Sequence, residues 1–539
     1  MAAKIRVYTR EVDPAGYPEG LAGAVHFACS FDGGEERPFN RGYGILFAAG
    51  RVAEDNTILP VRVKDPGIFL MKDGSIGICG ERILEDGAAD EAASGKLLLW
   101  KTRDLIRFEE EQLLPAEEIL CYRPADTLEV DQTLAERACR YWSPIVCTGV
   151  TFPETIRVSS AEEFGGLQAR ITYSDGSARP GRIRWEMPQI KFDIPGEYEI
   201  SGRLTQKRYR FPLAEGYGDP VIFPWEGKWY FISTNDNLND IGIYVREADE
   251  VAGLFAEDAV QHLILPFDPA RSLEQTFWAP EFHVIGGELY ILFAVSGHVW
   301  GPQCHMMKLK KGGRITDAGS WEDPVRVLRA DGKPLTEDAI TLDMTYIKVQ
   351  TGSYVIWSYR EHIGTPQDTG SMLYIATVDE REPWKLTGTP VLLTRPLYGW
   401  ENVSGTINNE GPYAFIRDGI VHVTYSGGAA NGYTYAVGLL TARVDADLTD
   451  LTSWTKSVTP VLTYYSVKGE YGPGHNAFYT DEDGELMISY HAETAIDSHL
   501  RCDGIRRVHF RSDGTPYFGM SAAEDVQDTE VHTRLTVAP

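Results

Sequence analysis

Asp219-Pro-Val-Ile-Phe-Pro-Trp-Glu-Gly-Lys-Trp-Tyr-Phe-Ile232 opens a pattern that returns four more times before the chain ends. The later copies begin Glu281-Phe-His-Val-Ile-Gly-Gly-Glu-Leu-Tyr, Asp343-Met-Thr-Tyr-Ile-Lys-Val-Gln-Thr-Gly-Ser-Tyr, Glu410-Gly-Pro-Tyr-Ala-Phe-Ile-Arg-Asp-Gly and His475-Asn-Ala-Phe-Tyr-Thr-Asp-Glu-Asp-Gly. Their starts lie 62, 62, 67 and 65 residues apart. Each copy is an apolar run, a turn containing glycine and a second apolar run, with further strand-like residues behind it. A period of this size with several strands per unit predicts a β-propeller, here with five blades. In a propeller the innermost strands surround a central channel. Asp219, Glu281, Asp343, Glu410 and His475 are therefore expected to converge on one pocket.

The rest of the 539 residues fits an all-β chain of more than one domain. Hydrophobic content of 43% with 11% aromatics is ample for packed cores. The net charge of −27 reads as a solvated acidic surface and makes nucleic acid or an anionic membrane a poor partner. A neutral small molecule or oligosaccharide is compatible with it. No apolar segment of signal-peptide length follows Met1, and no stretch is long enough to span a bilayer, so a cytoplasmic location is expected. The seven cysteines are scattered, lack the close pairs of a zinc site, and read as free thiols.

Residues 1–140 are predicted as a strand-rich N-terminal domain, blade-like or sandwich. Lys64-Asp-Pro-Gly-Ile-Phe-Leu-Met-Lys-Asp-Gly-Ser-Ile-Gly-Ile has the strand, turn, strand order of the later repeats. Its Asp65-Pro-Gly echoes the Asp219 context without partner acids, and reads as structural. Residues 141–208 hold alternating strands, with Ile171-Thr-Tyr-Ser-Asp-Gly-Ser forming a hairpin. The Phe152-Pro-Glu-Thr start, the Trp185-Glu strand and the Ile194-Pro-Gly-Glu-Tyr-Glu-Ile-Ser-Gly end resemble small bacterial immunoglobulin-like β-sandwich modules. Residues 209–515 form the predicted propeller, and 516–539 a polar C-terminal tail that packs on it or frays.

Several carboxylates in one pocket suit cleavage of a glycosidic bond. One carboxylic acid protonates the leaving oxygen, and a carboxylate on the other face activates water or attacks directly. A further carboxylate nearby raises the acid's proton affinity, because like charges resist joint ionisation.

With these residues in place, the five-repeat region resembles glycoside hydrolase family 43, an inverting family of five-bladed enzymes. The resemblance implies that Asp219, in Gly-Asp-Pro-Val-Ile, is the general base and Glu410, in Asn-Glu-Gly-Pro, the general acid. Asp343, in Leu342-Asp-Met-Thr, would tune that acid. Trp278-Ala-Pro-Glu281 matches the segment lining the sugar pocket, and Gly472-Pro-Gly-His475-Asn the segment whose histidine lies on the channel axis, often beside calcium. Arg507 falls where the family places an arginine that bonds sugar hydroxyls. Alternatives stay open: Trp278 as blade packing, Arg507 as a surface charge pair, His475 as a water-bonded structural residue in place of a loose Ca2+ ligand. Glu281 reads as a pocket hydrogen-bonding residue. No organic cofactor is implied. Trp400-Glu-Asn, Val437-Gly-Leu-Leu-Thr-Ala and Tyr471-Gly-Pro-Gly-His-Asn look most like exo-acting α-L-arabinofuranosidases. β-Xylosidase and β-galactofuranosidase activities, or a carbohydrate-binding propeller without catalysis, are the alternatives.

Overall fold

A computed structural model describes residues 2–186 and 190–538. Two compact units emerge: one comprises Met1–Trp142, Arg210–Tyr479 and Ile488–Ile505, the other Ser143–Tyr209, Thr480–Met487 and Arg506–Pro539.

In the first unit the repeats form consecutive antiparallel sheets, four of four strands and a last of three. Their leading strands are Gly218–Trp225, Gln275–Ile285, Ile340–Val349, Asn409–Arg417 and Tyr471–Thr480. The central strands are buried on both faces, which is why they read as near-continuous apolar runs: Glu288–Ser296 keeps only its first residue exposed. Residues ahead of the first sheet close on the last one. Glu215 bridges Cys502, Leu213 N–H donates to Asp503 O, and Gly216 N–H donates to Arg501 O. The Ser489 hydroxyl also donates to Pro220 O at 2.7 Å.

The leading strands share a kink near their starts. Register slips between Gly218 and Val221, Trp278 and Glu281, Leu342 and Thr345, and Glu410 and Tyr413. Positive φ angles occur at Asp219 (58°), Ala279 (44°), Asp343 (53°), Gly411 (57°) and His475 (41°). Bulges of this kind re-aim side chains and recur beside active sites. Each non-glycine residue held there costs about 1–3 kcal/mol. The kinks also correct the alignment of the repeats. Asp219, Asp343 and His475 occupy equivalent positions, whereas Glu410 stands one residue before its kink and Glu281 two after.

The N-terminal part of this unit holds one sheet ordered Thr127–Asp131, Ala2–Tyr8, His26–Phe31, Arg37–Pro38, and a second of Val61–Leu70, Ile76–Leu84, Lys96–Thr102 and Gln112–Pro115. Ile5, Phe27, Ile78 and Trp100 pack with Ala135 and Ala138 of the helix Gln132–Trp142. Cys29 and Cys139 form a disulfide, correcting the expectation of free thiols for those two.

In the second unit one sheet runs Cys147–Thr151, Gln168–Tyr173, Ala178–Glu186, Gly196–Leu204, Thr529–Val537, Thr155–Val158. The C-terminal residues are therefore not a tail. Thr529–Val537 pairs along the whole of Gly196–Leu204, and its alternating Val531, Thr533, Leu535 and Val537 are buried. Period-two alternation in Thr529-Glu-Val-His-Thr-Arg-Leu-Thr-Val is the signal that a reading by overall polarity missed.

Candidate active site

Asp219, Asp343, Glu410, Glu281 and His475 are all buried. They lie within mutual electrostatic reach, with His475 in the middle: Asp219, Asp343, Glu410 and Glu281 all act on its ring. The convergence expected from the repeats is thus what the kinked strands build.

Asp219 has the most elaborate surroundings. Its Oδ1 accepts from the Arg501 guanidinium at 2.9 Å and lies 3.1 Å from His475 Nδ1, while Oδ2 accepts from the Thr234 hydroxyl at 2.5 Å. His491 Nδ1 is 3.2 Å from the Asp219 amide nitrogen, and its Nε2 is 2.9 Å from Ala430 O. With Nε2 donating to Ala430 O, Nδ1 can accept from the amide, and the same nitrogen lies 3.4 Å from Asp219 Oδ1. Burial lowers the proton affinity of His491. Burial alone would raise the Asp219 carboxyl, but Arg501 and then His475 outweigh it and hold the group well below the usual carboxylate range.

Glu410 is the opposite case. Burial, reinforced by the negative charge of Asp343, pushes its carboxyl up to about 7. Tyr435 donates a hydrogen bond to Glu410 Oε1 at 2.9 Å and stacks on His491 with ring centroids 5.5 Å apart. Asp343 is raised too, chiefly by burial, although its Oδ2 accepts from Ser358 at 3.0 Å and from the Gly411 amide at 3.1 Å. Only glycine fits at 411, where a Cβ would come 2.9 Å from the His475 ring. Glu281 is raised by burial, and its Oε2 lies 2.7 Å from His283 Nε2.

Four carboxyls around one ring overcome the desolvation that would keep His475 neutral, and its proton affinity is raised. Calcium prefers a cage of oxygens. Among the described residues no group of three or more His, Cys, Asp or Glu side chains is disposed to hold an ion. A calcium ion beside His475 would have that imidazole as a protein ligand and take its other ligands from water.

Two expected sugar contacts resolve differently. Trp278 is half-buried against Ala294, Ile340 and Leu342, and its indole N–H donates to Asp240 Oδ2 at 2.8 Å. Arg507 is not part of this site. It belongs to the second unit, where its guanidinium grips both Asp525 oxygens at 2.8 and 3.0 Å and reaches the Tyr173 hydroxyl at 3.1 Å. The arginine beside the acids is Arg501, which also pairs with Asp236. Gly218 marks its place, since a Cβ there would overlap the guanidinium. Arg501 is six residues from Arg507, and a repeat that begins at His475 gives no register across the intervening loop.

Residues 266–516 match the family described as glycosyl hydrolases family 43. Over 326 residues the chain is 31% identical to an extracellular exo-alpha-(1->5)-L-arabinofuranosidase of Streptomyces avermitilis, covering 58% of this chain and 64% of that protein. A protein of the same name from Streptomyces chartreusis is 31% identical over 343 residues, covering 63% of this chain and 96% of its own. The crystal structure of an alpha-L-arabinofuranosidase from Lactobacillus brevis matches with 31% identity and a TM-score of 0.50, over 59% of this chain and 98% of that one. Both Streptomyces proteins are named extracellular, which overturns the cytoplasmic location expected from the N-terminal residues.

Proposed function

This chain belongs to glycosyl hydrolases family 43, and on that premise we propose that it removes terminal α-L-arabinofuranosyl residues from arabinosides or arabino-oligosaccharides, with inversion. The observation that carries the reading is a pair of buried carboxyls driven in opposite directions: Asp219 well below its ordinary range, Glu410 up to about 7. Environments that push two acids apart assign their roles. Asp219 is ionised at any working pH and receives the proton of the water that attacks the anomeric carbon. Glu410 keeps its proton to neutral pH and delivers it to the glycosidic oxygen as that bond breaks. Asp343 contributes the charge that helps hold the proton on Glu410. The low proton affinity of Asp219 limits its strength as a base, so its task is to fix and orient the water while charge builds at the sugar. Arg501 supplies the fixed positive charge beside it, and the ring of His475 lies 3.1 Å from the same carboxylate oxygen.

The five consecutive sheets, and the closure of residues 213–216 on the last of them, support a five-bladed propeller around this site. The antiparallel strands of the second unit support an immunoglobulin-like β-sandwich, to which the chain's C-terminal strand is added.

The test is a panel of nitrophenyl α-L-arabinofuranoside, β-D-xylopyranoside and β-D-galactofuranoside, with NMR of the first-formed sugar. Fastest turnover of the arabinofuranoside with the opposite anomer released supports the reading. A preference for either other sugar, or release of the same anomer, overturns it.

A further inference from the structure

The segment 395–402 runs between the third sheet and the leading strand that carries Glu410, and the N-terminal residues grip it from outside. Gly50 N–H donates to Leu397 O at 2.6 Å. Arg395 donates to the Asn56 side chain at 2.9 Å and to Asn56 O at 2.6 Å. Gly20 and Gly399 meet backbone to backbone, so closely that a Cβ on Gly20 would stand 2.5 Å from Gly399 O. Thr459, beside the same segment, donates to Ile45 O at 2.7 Å.

Inside this grip sits Glu401, with no exposed surface. Its Oε2 accepts from the Tyr398 amide at 2.8 Å. Its Oε1 accepts from Tyr425 at 2.9 Å, from Asn409 Nδ2 at 2.9 Å and from Lys456 Nζ at 2.7 Å. Lys456 in turn donates to Arg395 O at 2.8 Å. An ion pair taken out of water is a poor source of stability, because desolvation offsets the attraction; its best-attested use is to specify one arrangement. The arrangement specified here is that of Asn409, fully buried and immediately before Glu410. Asn409 is also fixed by its amide to Ser371 O at 2.8 Å and by its side-chain oxygen to Thr394 at 3.3 Å.

We infer that the N-terminal region is a positioning element for the general acid: it clamps residues 395–402, and through Glu401 and Lys456 the clamp fixes Asn409 and hence the reach of Glu410. Asn409, Glu401 and Lys456 are positioning residues that touch no substrate. The idea rests on Glu410 being the acid. It gives the first 142 residues, which lie outside the family match at 266–516, a part in the reaction.

A displaced acid hurts substrates according to their need for protonation. An alkyl arabinofuranoside has a poor leaving group, whereas a 4-nitrophenyl arabinofuranoside needs little help. Turnover of both is measured for full-length Asn409→Ala, Gly20→Ala and Asn56→Ala, with Glu410→Gln as reference and circular dichroism as the check on folding. Asn409→Ala and Gly20→Ala are expected to lose roughly 10-fold to 100-fold on the alkyl substrate and less than about 3-fold on the aryl one. Asn56→Ala, which trims an exposed clamp, should show a weaker loss with the same split. If Gly20→Ala does not fold, the other two variants decide. Equal losses on both substrates, while Glu410→Gln still separates them, overturn the clamp and leave the acid assigned. No separation in Glu410→Gln overturns the acid itself.

Discussion

Asp65-Pro66 and Asp219-Pro220 each stand on the leading strand of a four-stranded antiparallel sheet, and the backbone is kinked alike at both. Register slips between Lys64 and Gly67 in one and between Gly218 and Val221 in the other, with φ of 48° at Asp65 and 58° at Asp219. The surroundings differ completely. The Asp65 side chain is 76% exposed and, among the described residues, pairs with the neighbouring Lys64 at 3.6 Å. The Asp219 side chain is 7% exposed and is held by Arg501, which arrives from the last sheet. The kink alone therefore presents a carboxyl without giving it chemistry. Burial and charges from other sheets set the proton affinity, and a sheet without such neighbours cannot supply them.

The comparison breaks most sharply at the acids. Asp219→Asn and Glu410→Gln, near-isosteric changes, are expected to lower turnover of an arabinofuranoside with a poor leaving group on the order of 10³-fold or more; a loss under tenfold in a folded variant would remove that residue from the reaction. Next comes the charge that Asp65 lacks. Arg501→Met should reduce kcat/KM by about 10²-fold, the scale of losing one preorganised charge contact. It should also raise the pH at which activity fails on the acid side, because the group holding Asp219 ionised is gone. An unmoved acid limb would assign that work to His475 alone.

The pH profile sharpens the contrast further. As the proposed acid, Glu410 must be protonated, so activity is expected below about 7 and should decline as the pH rises through that value. Tyr435 stabilises the Glu410 carboxylate by donating to it, so Tyr435→Phe should move this basic limb upward. Asp343→Asn removes a repelling charge and should move it downward, each by roughly one pH unit for about 1.4 kcal/mol of changed interaction. Shifts in the same direction would contradict the causes given for Glu410. The smallest effect belongs to Asp65→Asn, for which kcat and KM should stay unchanged within the precision of the assay. Treatment with EDTA tests the ion expected beside His475: a fall in activity or Tm that calcium reverses makes His475 a metal ligand, and no change leaves it a structural residue.

The repeat made the sheets legible because each is a local unit of two apolar runs about a glycine turn. Asp219 and Asp343 were legible for the same reason. Glu410 and Glu281 were found despite being out of phase with the kinks, which depend on pairing with the second strand and leave no mark in a single run. Arg501 was not legible. What makes it part of the site is closure of the last sheet against the first, a contact between residues remote in sequence, and Arg507 took its place by nearness to an expected motif. The grip of Gly20 on Gly399 was hidden likewise, since neither Pro18-Glu-Gly-Leu-Ala nor Leu397-Tyr-Gly-Trp carries any mark of a partner so distant in sequence. The C-terminal strand was overlooked because half of its residues face water, although the other half alternate as a strand's should.

The seam that joins residues 213–216 to residues 501–503 has a consequence for synthesis. Asp219 and Arg501 are separated by 282 residues, so during translation the carboxyl emerges long before the guanidinium that holds it below the usual carboxylate range. Contacts this distant form late, and domains emerge from the ribosome N-terminal end first. A chain that stops anywhere before the last sheet has every strand it needs to look folded in part, yet it lacks the cation at its own entrance. Activity is therefore expected to report on chain completion, since a product truncated before the last sheet loses His475, His491 and Arg501 together.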